Sequence, residues 1–92
     1  MRFEWDLDKA DRNVFSHGIA FEDATRIFDG PTLEAADTRQ DYGEERFIAI
    51  GVMFGIEIVV VCVSRGEDLI RLISARKATR YERQAYWKSL EE

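Results

Sequence analysis

Cysteine, proline and histidine are nearly absent from this 92-residue chain, which has one of each. A lone Cys62 excludes an internal disulfide, and its place in an apolar run marks a buried core thiol rather than a nucleophile. One histidine and one cysteine fall far short of a zinc set, so no metal site is expected. No glycine-rich phosphate loop or dinucleotide fingerprint occurs, and Ser74 lacks the flanking glycines of a nucleophile elbow, so no cofactor is expected. No basic stretch followed by an apolar one opens the chain, so no export signal is read and a cytoplasmic location is expected. The one long apolar run, Phe47 to Val63, is broken by Gly51 and Gly55 and carries Glu57. It is short for a membrane span, and its Val/Ile richness suits two strands joined by a turn.

What is present describes an ordinary soluble domain, spanning 1–92, with 46% apolar and 34% charged residues. Asp6 as N-cap and Gly18 as stop predict a helix over 7–16, with Lys9 and Asn13 four apart. A second helix is expected from Phe21 to Phe28, with Phe21, Ala24, Ile27 and Phe28 on an inward stripe, ending at Asp29-Gly30-Pro31. The period then changes. Leu33 to Thr38 reads as an edge strand, Arg46 to Val52 and Ile56 to Ser64 as a central hairpin, and Leu69 to Arg76 as the last strand. Phe3 to Trp5 reads as a short strand or an extended lead-in. A helix from Thr79 to Leu90 comes last, with Glu82 placed for a capping box. The expected fold is α+β: two N-terminal helices, a four-stranded mostly antiparallel sheet and a C-terminal helix.

Charge is strongly polarised. Net charge is -5, yet Arg71 to Lys88 holds six positive charges against one acid, with Tyr81, Tyr86 and Trp87 interleaved. Guanidinium groups beside aromatics suit phosphodiester binding and base stacking. Arg76, Arg80, Arg83 and Trp87 recur at spacings of four, three and four, as on one helical face. Arg71 and Arg76, an odd number apart on one strand, are expected on opposite sheet faces. Arg65 lies at the preceding turn. His17 is the only imidazole, the side chain suited to proton exchange near neutral pH, and equally a helix C-cap. Trp5 is a candidate for base stacking or a lid on the core. Lys9 and Arg46 are candidate phosphate contacts or plain surface charges.

Trp5-Asp6, Lys9, Asn13, His17-Gly18, Phe21-Glu22, Phe28-Asp29, Gly43-Glu44, Arg46, Arg65, and above all Ile73-Ser74-Ala75-Arg76 with Ala78-Thr79-Arg80, Glu82-Arg83 and Tyr86, occur in a telling order. In these the chain resembles the BrnT family of type II toxins over nearly its whole length. The resemblance implies a RelE/ParE-like fold and a small ribonuclease that inhibits translation by cutting RNA. It also implies a cognate BrnA-like antitoxin with a ribbon-helix-helix part, in a toxin–antitoxin assembly or beside a toxin homodimer. Two positions depart from the family: Ser16 stands where lysine is usual, and Ala20 where serine would cap the second helix, a change worth about 1 kcal/mol.

The chemistry expected is metal-independent cleavage, in which a base takes the ribose 2′-OH proton and arginines stabilise the charge at phosphorus. Arg65, Arg76 and Arg80 are the candidate phosphate clamp. His17 is the candidate acid or base, with Glu82 as the substitute base. Lys9, Arg46 and Arg83 are candidate RNA contacts, and Trp5 or Tyr86 the stacking aromatic. The alternative is a non-catalytic module whose basic C-terminal helix docks an acidic protein.

Overall fold

A computed structural model describes residues 1–92. The elements in order are β1 (Arg2–Glu4), α1 (Leu7–His17), α2 (Phe21–Ala24), a 3₁₀ turn (Thr25–Asp29), β2 (Leu33–Ala36), β3 (Arg46–Met53), β4 (Ile56–Ser64), β5 (Leu69–Lys77) and α3 (Arg80–Ser89). The sheet runs β1-β5-β4-β3-β2, antiparallel throughout except for the parallel pair β1–β5. It therefore has five strands, not the expected four. The short lead-in joins the sheet because Arg2, Phe3 and Glu4 pair with Leu69, Ile70 and Arg71.

Local chemistry sets the ends of the helices. The Lys9 amide donates to Asp6 Oδ1 at 3.0 Å, and Gly18 closes α1 at φ 71° with its N–H on Val14 O. Thr79 and Glu82 form the capping box of α3. The second helix is shorter than expected: Ala20 gives no side-chain cap, and the Thr25 hydroxyl donates to Glu22 O, where α-helix tightens into 3₁₀.

β4 is buried on both faces, which is why it reads as an unbroken apolar run. One face presents Ile58, Val60 and Cys62 to the main core, with Phe21, Ala24 and Ile27 packed over them together with Ala49, Leu72 and Ala75. Burial pushes the Cys62 thiol up to about 12, so it is inert at neutral pH. Gly51 belongs to this face because a Cβ there would lie 2.6 Å from Ile27 Cβ. The opposite face carries a smaller cluster of Ile50, Val59, Ala78 and Tyr86 beneath α3.

A bulge and an open edge in β5 place the functional side chains. Val61 pairs with Ser74 but Cys62 pairs with Leu72, so Ile73 is an extra, bulged residue. The bulge reverses the alternation. Arg71 opposite Val63 and Arg76 opposite Val59 both lie on the α3 face, not on opposite faces as their spacing suggests. Beyond Arg71, β5 has no strand partner on its outer edge. Asn13 replaces it: its Nδ2 donates to Ala75 O at 2.9 Å and to Ile19 O at 2.8 Å, and its Oδ1 accepts from Ala75 N at 3.0 Å. One buried amide thus docks α1 against the strand.

Candidate active site

Five arginines of the sheet and its connections are paired with carboxylates, whereas Arg80 and Arg83 on α3 are not. Arg76 grips Glu82 with two bonds of 2.8 Å, and the same carboxylate accepts the Thr79 amide at 2.8 Å. Arg71 pairs with Glu4, Arg39 with Asp37, and Arg46 and Arg65 share Glu44. Arg76 lies opposite Val59, and Arg65 lies six residues further along the β4 direction, so their backbones are about 20 Å apart. The expected clamp of Arg65, Arg76 and Arg80 therefore does not converge on one phosphate. Arg46 also lies 4.0 Å from the Tyr42 ring centroid, a packed cation rather than an open RNA contact.

Glu82 takes a different role from the expected substitute base. The Arg76 guanidinium, helped by the Thr79 amide, holds its carboxyl at about 2. A base that weak cannot take a hydroxyl proton effectively at neutral pH; Glu82 orients Arg76 instead. Because the folded value lies below the ordinary 4.5, the pair's stabilisation is present above the unfolded value and lost as pH falls toward 2. Allowing for partial exposure, the loss between about pH 5 and 2 should be roughly 2 kcal/mol. Urea midpoints measured across that range should fall less steeply in Glu82→Gln than in the parent. Equal slopes would mean that the pair contributes nothing.

The aromatics are also redistributed. Tyr86 is 2% exposed and its hydroxyl donates to Pro31 O at 2.9 Å, so it is a core residue and cannot stack a base. Trp5 packs edge-on against Phe21 as a lid on the main core. The exposed rings are Phe15, Phe54, Tyr81 and Trp87.

Cations without a carboxylate partner gather in two other places. A cleft of about 360 Å³ is lined by Lys9, Arg12, Asn13, Ser16, His17 and Ile73, with no acid among them. Lys9, Arg12 and Ser16, at i, i+3 and i+7, form one flank of α1. Asn13 anchors the helix and the bulged Ile73 contributes from β5. Ile73 is three residues from Arg76, about 10 Å along the same strand. Sequence reasoning finds His17 and Lys9 here but misses Arg12, whose one signal is its helical spacing from Lys9. A second cleft, of about 590 Å³, holds Arg80, Arg83, Gln84, Trp87 and Lys88 beside Glu57 and Glu91. The largest cleft, about 910 Å³, is lined by Glu34, Asp37, Asp41, Glu44 and Glu45 with only Arg46 opposing, and would repel a phosphodiester. No three His, Cys, Asp or Glu side chains group as a metal site would require, and no helix is long and apolar enough to cross a membrane.

An α+β sheet with an imidazole in an acid-free cationic cleft, and further cations beside exposed aromatics, is an arrangement whose chemistry suits a phosphodiester chain. Residues 5–82 match the family described as ribonuclease toxin, BrnT, of type II toxin-antitoxin system. The chain therefore belongs to the BrnT family of ribonuclease toxins, endoribonucleases of type II toxin–antitoxin systems. The 1.1 Å crystal structure of the Brucella abortus ribonuclease toxin, BrnT, is similar at a TM-score of 0.65 and 29% identity, covering 87% of this chain and 99% of that one. No curated relative matches the chain at a significant level. Membership implies an RNA substrate and a cognate antitoxin, and displaces the alternative of a non-catalytic docking module.

Proposed function

We propose that RNA is cut in the α1 cleft, without a metal, with His17 as the base. The neutral imidazole takes the 2′-OH proton, the freed oxygen attacks the adjacent phosphorus, and the bond to the 5′ oxygen breaks. That oxygen leaves with a proton from water, and the upstream strand ends in a 2′,3′-cyclic phosphate. Lys9 and Arg12 neutralise the phosphate as charge builds on its free oxygens. Arg76, held in a fixed orientation by Glu82, contacts a neighbouring phosphate. The observation that carries this reading is the acid-free cleft in which the only imidazole meets two unpaired cations. Cutting RNA in this way would inhibit translation. The antitoxin is read as a BrnA-like ribbon-helix-helix protein that silences the toxin by covering its free cations.

Lys9→Gln and Arg12→Gln should each lower cleavage of a single-stranded RNA by about 10- to 100-fold, and each should reduce the salt slope of binding by about 0.7. Arg65→Gln, which loses only the Glu44 pair at the far end of β5, should stay within about threefold of the parent. Cleavage assayed against salt checks both expectations. If Arg65→Gln is the crippled variant and the α1 variants are normal, the site lies at the other end of the strand.

A further inference from the structure

The β3–β4 hairpin turns on Phe54 and Gly55, at φ 50° and 77°. Positive φ at both central residues fits the two-residue turn that asparagine–glycine makes most easily, and a bulky side chain at the first of them is strained. Packing gives no compensation for that strain. The Phe54 ring is 62% exposed and joins neither core cluster. Its neighbour is Arg26, whose guanidinium carbon lies 4.7 Å from the ring centroid with no carboxylate in pairing range. The ring thus offers a flat aromatic surface with a free cation already stacked beside it.

A second aromatic with cations lies across the hairpin. Trp87 is 49% exposed, and its Nε1 is fixed by a 2.7 Å bond to Glu57, three residues beyond Phe54. Arg80, Arg83 and Lys88 line the cleft beside it together with Glu57 and Glu91, and the Arg83 guanidinium donates to Ala78 O at 3.1 Å. At this end of the sheet Lys77 pairs with Ile58, four residues along β5 from Ile73 in the imidazole cleft, about 13 Å away. One extended strand can reach both places.

We infer that single-stranded RNA flanking the cut site lies over the hairpin tip and the outer face of α3, with bases stacked on Phe54 and Trp87 and phosphates held by Arg26, Arg80 and Arg83. Stacking on aromatics combined with unpaired cations is how proteins hold single strands with little sequence readout. Backbone strain of this kind clusters at ligand clamps and active sites. The inference rests on the ribonuclease reading for its ligand, but not on His17 being the base.

The test uses a 2′-O-methyl RNA oligonucleotide, which has no 2′-OH to attack, so affinity is read without cleavage and independently of the assignment of His17. Phe54→Gly should raise the melting temperature, because glycine accepts positive φ freely, and at the same time weaken binding about tenfold. Phe54→Trp should keep the affinity of the parent, and Trp87→Ala should weaken it to a similar degree as Phe54→Gly. Opposite movement of stability and affinity in Phe54→Gly separates contact from folding. Affinities within twofold of the parent for both Phe54→Gly and Trp87→Ala would overturn the inference. Loss of antitoxin binding with RNA affinity intact would overturn it too, and would make the surface a protein interface.

Discussion

Replacing His17 with alanine is expected to slow RNA cleavage by about 10²- to 10⁴-fold, the usual contribution of a positioned general base. That corresponds to roughly 3–5 kcal/mol of barrier. The melting temperature should stay within a few degrees, because His17 is exposed and its ring makes no hydrogen bond or ion pair that folding would lose. The cap of α1 is made by Gly18 through its backbone, so a purely structural role for the imidazole has little to act on. Single-turnover cleavage and a thermal melt of the variant measure both. A variant that cleaves within threefold of the parent would remove His17 from the chemistry.

Legibility in the sequence tracks the range of the interaction involved. Caps and the hairpin depend on residues a few positions apart, and Asp6, Gly18, the Thr79–Glu82 box and the strand Ile56–Ser64 are all found where local spacing places them. The fifth strand is not local: three residues at the N-terminus count as a strand only because Leu69 to Arg71 lie beside them. The bulge at Ile73 is equally hidden, since nothing in the one-dimensional pattern marks where an extra residue enters β5. That one residue moves Arg71 and Arg76 onto the same face and defeats a parity argument sound for a regular strand.

The site is legible in its residue types but not in its grouping. The basic C-terminal segment reads as a clamp when charge is counted along the chain, whereas in the fold Arg71, Arg76 and Arg65 are each matched to a carboxylate. The partners of Arg71 and Arg65, Glu4 and Glu44, come from distant parts of the sequence. Free cations are those that no acid reaches, and that requires the fold. The aromatics obey the same logic: Tyr86 and Trp87 are neighbours in sequence, yet the helix turns one into the core and the other outward.

Asn13→Ala should be the most destabilising polar substitution in the molecule, at about 3 kcal/mol. The side chain makes three hydrogen bonds, all to backbone groups, and two of them satisfy both the N–H and the C=O of Ala75 on an otherwise unpaired strand edge. Alanine leaves those buried groups without partners and frees α1 from β5, so the melting temperature should fall by roughly 10–20 °C for a domain of this size. Asn13→Asp should do no better. Its carboxylate can still accept from the Ala75 amide but turns an acceptor toward two carbonyls, exchanging two hydrogen bonds for repulsion. Phe15→Ala on the same helix is the control, since that ring is 94% exposed and its loss should change stability little. The effect should extend to function. Asn13 fixes the distance between the Lys9–Arg12–His17 flank and Ile73, so Asn13→Ala that is still folded at low temperature should cleave RNA more slowly than its folded fraction predicts. Thermal melts and cleavage rates on the three variants provide the comparison. An Asn13→Ala melt within a few degrees of the parent would show that α1 is held to the sheet by its apolar contacts alone.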